Sequence, residues 1–175
     1  MMLKDFFDVV NLRRSTRTFS DQPVKEADLQ RIFEAINAAP SAGNMQAYEV
    51  YVARQESLRQ ALAAAAHDQD FIHQAPVVLV FCVHPERNQA RYRDRGERLY
   101  AVQDATIACT HAMLAARALG LGSVWVGAFR DEAVHAAIGS PEKQMPVAVL
   151  PIGHPLEWPP PRPRRPLDNL IHELD

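Results

Sequence analysis

Arg13-Arg14-Ser15-Thr16-Arg17 puts three guanidiniums and two hydroxyls within five residues, just past a short helical pattern. Guanidinium forks match the oxygens of a phosphate in two-point contacts, and hydroxyls add further donors. A second basic cluster, Arg162, Arg164 and Arg165, stands in a proline-rich tail. Read alone, the first is equally a solvated basic turn, and the second a solubilising tail or a nonspecific polyanion contact. The two make one anion site only if the fold joins them. Other chemistries lack their residues. Gly120-Leu121-Gly122-Ser123-Val124-Trp125 begins like a dinucleotide fingerprint, but Trp125 holds the third glycine position. The segment also leaves a helix and enters a strand, the reverse of a phosphate-cradling turn. Gly122 and Gly127 have P-loop spacing, yet Ala128 stands where the lysine must be. There is no Gly-x-Ser-x-Gly elbow, no Cys-x-x-Cys and no His-Glu-x-x-His. The seven histidines are scattered without metal-ligand spacing, so no metal site is expected. Cys109 falls among apolar positions and reads as a small buried hydrophobe.

The elements that must position these residues follow from periodicity. Residues 5–13 read as a short helix. In 25–39, Leu29, Ile32, Phe33 and Ile36 follow helical spacing, and Pro40 follows the end. Ser41-Ala42-Gly43-Asn44 is a loop. Strands are expected at 49–53, 77–83, 123–126 and 147–152, and helices at 57–66, 99–119 and 131–138. In the long helix, Ala101, Ala105, Ala108, Ala112, Ala115 and Leu119 form one stripe, and Val102, Cys109, Met113 and Ala116 a second. A helix apolar on two faces is central or lies in an interface between subunits. Six of the 13 prolines fall between Pro155 and Pro166, so the tail 155–175 is expected to be extended. The polar stretch 85–98 carries five arginines, which could attract an anionic nicotinamide phosphate. The reading preferred for it is an exposed charged loop. The class is α+β, with one sheet covered by helices on both faces.

Composition narrows the setting. The chain has 175 residues, 47% hydrophobic and 23% charged, with a net charge of -2. That fits one domain spanning 1–175 with a sizeable core. Near-neutral charge gives no global field for nucleic acid or an anionic membrane, and neither partner is expected. The longest apolar runs, Ala61–Ala66 and Pro76–Val83, are too short to span a bilayer. Two cysteines make no disulfide framework, and the start has no signal-peptide layout. The expected compartment is the cytoplasm.

Five segments in order resemble the flavin-dependent nitroreductase family over nearly the whole chain. They are Arg13-Arg-Ser-Thr-Arg-Thr-Phe19, Ala39-Pro-Ser-Ala-Gly-Asn-Met-Gln46, Ala118-Leu-Gly-Leu-Gly-Ser-Val-Trp-Val-Gly-Ala-Phe129, Pro151-Ile-Gly-His-Pro155 and Arg162-Pro-Arg-Arg-Pro-Leu167. The resemblance implies a central mixed, mostly antiparallel sheet, and a homodimer with FMN at the subunit interface. It implies that Arg13, Arg14, Ser15 and Arg17 hold the ribityl phosphate and the pyrimidine edge of the flavin. Arg162 and Arg164 would close on the phosphate. Pro40, Ser41, Ala42 and Asn44 would come from the other subunit. Val126 and Gly127 would offer backbone groups near flavin N5, Gln69 would meet the ring edge, and 151–153 would support the ring. The extended tail would wrap the partner subunit, and the apolar long helix would lie in the dimer core. Ala47-Tyr48 stands where family members often carry Pro-Trp, which changes the wall beside the ring.

The activity so implied is an FMN-dependent NAD(P)H oxidoreductase, with NADH or NADPH as donor and a small nitroaromatic or quinone as acceptor. No catalytic side chain is expected, because the chemistry would belong to the cofactor. Two other readings stay open: a flavin protein of the same fold with flavin-fragmenting, dehalogenating or storage and sensing roles, and a nonenzymatic nucleotide-binding dimer.

Overall fold

The structure is a computed structural model that describes residues 5–174. Val77–Val83 is apolar throughout and forms strand β2, buried along its whole length. A strand with apolar side chains on both faces requires cover on both. Val77, Leu79, Phe81 and Val83 meet a layer built from α2 (Glu26–Asn37) and α6 (Ala101–Ala118). Val78, Val80 and Cys82 meet a second layer from α3 (Glu56–Ala65), α4 (Phe71–Gln74) and α7 (Asp131–Ile138).

Around β2 the sheet runs β1 (Tyr48–Ala53), β2, β4 (Pro146–Gly153), β3 (Gly122–Ser123). Every neighbouring pair of these strands is antiparallel. The parallel part of the expected mixed sheet is one isolated bridge, Ser15 to Ser123. The strand expected over 123–126 is shorter than its pattern. It pairs at Gly122 and Ser123, loses its ladder bonds at Val124 and Trp125, and meets β4 again in the same register where Val126 pairs with Val149. Pro151 stands in register with Val124 and has no N–H to donate across, so the ladder lapses at that point.

The helices follow their caps. Asp5 accepts from the Phe7 N–H at 2.7 Å to start α1 (Phe6–Leu12). Gly139, at φ 65°, ends α7 in the left-handed conformation. α2 buries Leu29, Ile32 and Ile36, as its spacing requires. In α6, Ala101, Ala105, Ala108, Cys109, Ala112 and Ala116 are buried, whereas Val102, Met113, Ala115 and Leu119 are only partly covered. The two stripes are therefore unequal: one is core, and much of the other borders open surface.

Two segments correct their sequence readings. Residues 85–98 are not a loop. Pro85–Arg95 forms α5 with Pro85 in its first turn, and Gly96–Tyr100 continues it as one π-helical turn into α6. No apolar period marked this helix, because Asn88 is the one buried residue of α5. The helix is broken at Arg93, whose φ of 51° and ψ of −141° suit glycine rather than arginine. Such a conformation costs roughly 1–3 kcal/mol and collects at functional places. The short helix α4 was not expected; four residues are too few to show a period. Arg59 closes its end by donating to the carbonyls of His73 and Ala75. The tail is extended apart from a 3-10 turn at Leu167–Asn169. Among the described residues no helix is long and apolar enough to cross a membrane.

Candidate functional site

Thr18 to Ser20 runs antiparallel to His154 to Leu156. Ser20 N–H donates to the His154 carbonyl at 2.9 Å, Leu156 N–H to that of Thr18 at 3.1 Å, and Phe19 pairs with Pro155. This short ladder joins the two basic clusters, which lie about 140 residues apart in sequence. Beyond it the two arms diverge around a cavity of about 870 Å³. Arg13, Arg14, Ser15, Arg17 and Thr18 line one side, and Glu157, Pro159, Pro160, Pro161, Arg162 and Arg164 the other. Arg165 does not line it; its guanidinium turns back to the Asn169 carbonyl.

The first arm is held from beneath. Thr16 is fully buried, and its N–H donates to the Ser123 carbonyl at 3.1 Å. Gly122 makes this approach possible, since a Cβ there would lie 2.8–2.9 Å from the Thr16 side chain. The second arm is held by Trp158, whose ring carries the Arg117 guanidinium at 3.8 Å. We expect Gly122→Ala to push the arginine arm outward. Thermal melting should register a loss of about 1–3 kcal/mol, and binding of a phosphate-bearing ligand such as FMN should weaken. Unchanged melting and unchanged binding together would refute the anchoring role.

The three arginines of the first arm differ. Arg14 donates from Nη1 to the carbonyls of Asn11 at 2.7 Å and Arg13 at 2.8 Å, so it secures the end of α1. Arg17 lies over the Phe71 ring at 5.7 Å. Arg13 is half-buried, and its Nη1 is buried without a hydrogen-bond partner. Burial, then the charges of Arg164 and Arg14, hold its pKa below the usual guanidinium value. A partnerless guanidinium crowded by like charge is relieved by an anion with several acceptor oxygens. A phosphate monoester meets that demand, so the residues present fit the phosphate end of FMN.

The remaining candidates form two groups. Gln69, Val126 and Gly127 form one group, which does not line the arginine cavity. Gln69 Nε2 donates to the carbonyls of Ala66 at 2.8 Å and Ala128 at 3.3 Å. Val126 spends both backbone groups on Val149, so the backbone exposed there is that of Gly127. Pro40, Ser41 and Ala42 are not brought to the arginines. They line a separate cavity of about 560 Å³ with Tyr100, Val102, Gln103, Asp104, Thr106 and Ile107. Asn44 is exposed next to it, in a left-handed conformation.

Asp104 was missed by sequence reasoning. It is 1% exposed and accepts from Ala42 N–H at 2.9 Å, Ala47 N–H at 3.4 Å and Asn88 Nδ2 at 2.9 Å. One carboxylate thus fastens both ends of the 41–47 loop to α6 and α5. Its signal was present, as an acid within the buried alanine stripe. Arg117 and Trp158 were missed as well, and no local pattern marks them; Thr16, read as one of two hydroxyl donors, is instead buried beneath the arm and does not line the cavity.

Neither cysteine is a nucleophile. Burial, helped by the Glu49 charge, pushes Cys82 up to about 12, and burial raises Cys109 well above the usual thiol value. At pH 8 a thiol reagent should leave both unmodified in the native protein and label both after unfolding. Rapid native labelling of either would contradict their burial.

Comparison with known proteins now decides the lineage. The sequence profile described as the Nitroreductase family matches residues 10–69 and 65–154. The chain belongs to the nitroreductase family. This nitroreductase-family chain is 32% identical over 173 residues to the FMN reductase [NAD(P)H] of Bacillus subtilis, covering 91% of itself and 70% of that protein. It is 31% identical to the NADH dehydrogenase of Thermus thermophilus, covering 91% of each. Among solved structures, the NADPH:FMN oxidoreductase of Vibrio harveyi complexed with NAD+ superposes with a TM-score of 0.89 at 27% identity. The match covers 98% of this chain and 78% of that one. The expected α+β fold is thereby shown.

Proposed function

We propose that the protein is an FMN-dependent NAD(P)H oxidoreductase, acting as a homodimer on small nitroaromatic or quinone-type acceptors. The observation that carries this reading is the buried, partnerless Nη1 of Arg13 in a cavity where two arginine clusters converge. The reductases named above act on flavin with a nicotinamide donor, which supports the same chemistry. When bound, FMN supplies hydride transfer at its N5 between the reduced nicotinamide and the acceptor.

The chain's own part is to hold and orient. Arg13, Arg17, Arg162 and Arg164 neutralise the phosphate, with Arg14 and Ser15 completing the arm. Gly127 offers backbone toward the ring, beside Gln69 and Val126. Pro40, Ser41, Ala42 and Asn44 serve the flavin of the other subunit, which accounts for their separation from the arginines in one chain. No side chain is assigned as acid, base or nucleophile; positioning and electrostatics suffice.

Exposed apolar groups support the dimer. Phe6 and Phe7 of α1 are 64% and 72% exposed, and Leu167, Leu170, Ile171 and Leu174 of the tail are also exposed. Apolar surface of this extent outside a core calls for a partner. We infer that the tail crosses onto the second subunit.

The test is the visible spectrum of the purified protein, before and after NADH or NADPH without oxygen. A yellow protein that bleaches supports the reading. A colourless protein that takes up no added FMN refutes the site. A yellow protein that neither donor bleaches keeps the flavin but moves the function to another chemistry of this fold.

A further inference from the structure

The site described leaves α5 and its π-helical turn without a role, although this is the most arginine-rich part of the chain. Arg87 is occupied, facing Glu49 at 3.7 Å. Arg91, Arg93, Arg95 and Arg98 have no carboxylate partner among the described residues. Of the nearby acids, Glu86 is taken by Lys143 at 2.8 Å and Glu97 accepts from Gln89 at 3.0 Å, leaving Asp94.

Two of these guanidiniums are fixed in place. Tyr92 and Tyr100 meet edge to face with centroids 5.1 Å apart. Arg91 lies over Tyr92 at 5.4 Å and Arg95 over Tyr100 at 5.6 Å, with Arg95 Nε donating to the Tyr100 hydroxyl at 3.1 Å. The strained backbone at Arg93 and the π-helical turn lie between these partners. Stacked guanidiniums keep their forks free at the edge while losing little entropy on binding.

The pair also stands next to the proposed ring site. Tyr100 shares a cavity with Pro40, Ser41 and Ala42. Gly43, at φ 54°, packs so closely on α5 that a Cβ would lie 2.8 Å from Arg91 Nη1 and would collide with the Tyr92 hydroxyl. A nicotinamide that reaches the flavin must leave its adenosine end outside the ring wall. NADPH differs from NADH only by the phosphate on the adenosine 2′-oxygen. Two preset arginines without a carboxylate partner, one against Gly43 and one on the cavity-lining Tyr100, match a phosphate monoester.

We propose that Arg91 and Arg95, set on the Tyr92–Tyr100 pair, receive the adenosine 2′-phosphate of the reductant and so select NADPH over NADH. The proposal rests on the flavin reading above for its meaning, but its binding step can be measured separately.

The experiment is calorimetric titration of the purified protein, as isolated and after FMN addition, with adenosine 2′,5′-bisphosphate and with adenosine 5′-monophosphate. The bisphosphate should bind at least tenfold more tightly. Arg91→Gln/Arg95→Gln should bring that ratio near one. Because Arg95 also holds Tyr100, Arg91→Gln alone serves as the second variant and should lower the ratio partway. Equal binding of the two nucleotides to the unmodified protein overturns the proposal. A ratio that neither variant moves also overturns it, and places the recognition on other arginines. A protein that binds the bisphosphate through Arg91 yet takes up no FMN overturns the flavin reading and leaves this site standing.

Discussion

Arg13→Ala weakens FMN binding by roughly 10- to 100-fold, the loss of about 1.5–3 kcal/mol expected for a charge-assisted hydrogen bond. Fluorescence quenching of added flavin reads it directly. The same change should leave the melting temperature of the flavin-free protein unchanged or raise it. Arg13 Nη1 is buried without a partner, and Arg164 and Arg14 crowd it with like charge. Removing such a group relieves strain that only an anion otherwise relieves. Arg14→Ala is the contrast. Its Nη1 bonds to the Asn11 and Arg13 carbonyls close the end of α1, so this change should lower stability even without flavin. If Arg13→Ala instead destabilises the flavin-free protein and leaves FMN affinity intact, Arg13 is structural and the phosphate site lies elsewhere.

Asp104→Ala should produce the largest stability loss of any single change considered. It strips the acceptor from two backbone N–H groups and from the buried Asn88 amide. Stranding several buried donors costs about 3–5 kcal/mol together. For a chain of this size that lowers the melting temperature by about 10 °C. The effect should be local before it is global. Amide exchange should accelerate first across 41–47, where Gly43, Asn44 and Gln46 hold positive φ and depend on being fastened. Asp104→Asn keeps one acceptor oxygen and should fall between. A melting temperature unmoved by Asp104→Ala would mean that the loop is held by other contacts.

Much of this was legible in the sequence, and for a physical reason. Periodicity reports which face of an element is buried, so α2, α6, α7, β2 and β4 were found near their true bounds. α5 was not, because a helix that buries only Asn88 writes no apolar period. α4 is a single turn held by Arg59 from another helix, and nothing local announces it. β3 was overextended because Val124 and Trp125 have strand character, but Pro151 opposite Val124 has no N–H to continue the ladder.

The site divides the same way. Residue type alone made Arg13-Arg14-Ser15-Thr16-Arg17 and Arg162 to Arg165 capable of binding phosphate oxygens, since guanidinium geometry and charge are properties of the side chain. Whether those clusters act together was decided by tertiary structure. The ladder from Thr18 to Ser20 against His154 to Leu156, the Gly122 gap beneath Thr16 and the Arg117–Trp158 stack bring them to one cavity. Only the folded chain could also distinguish the arginines by their partners. Arg14 is spent on α1, Arg165 on Asn169, and Arg13 is left with a buried Nη1 that has no partner. Sequence determines what a side chain is able to bind; the fold determines which side chains still have that capacity to spare, because a hydrogen bond already made inside the protein cannot be offered to a ligand.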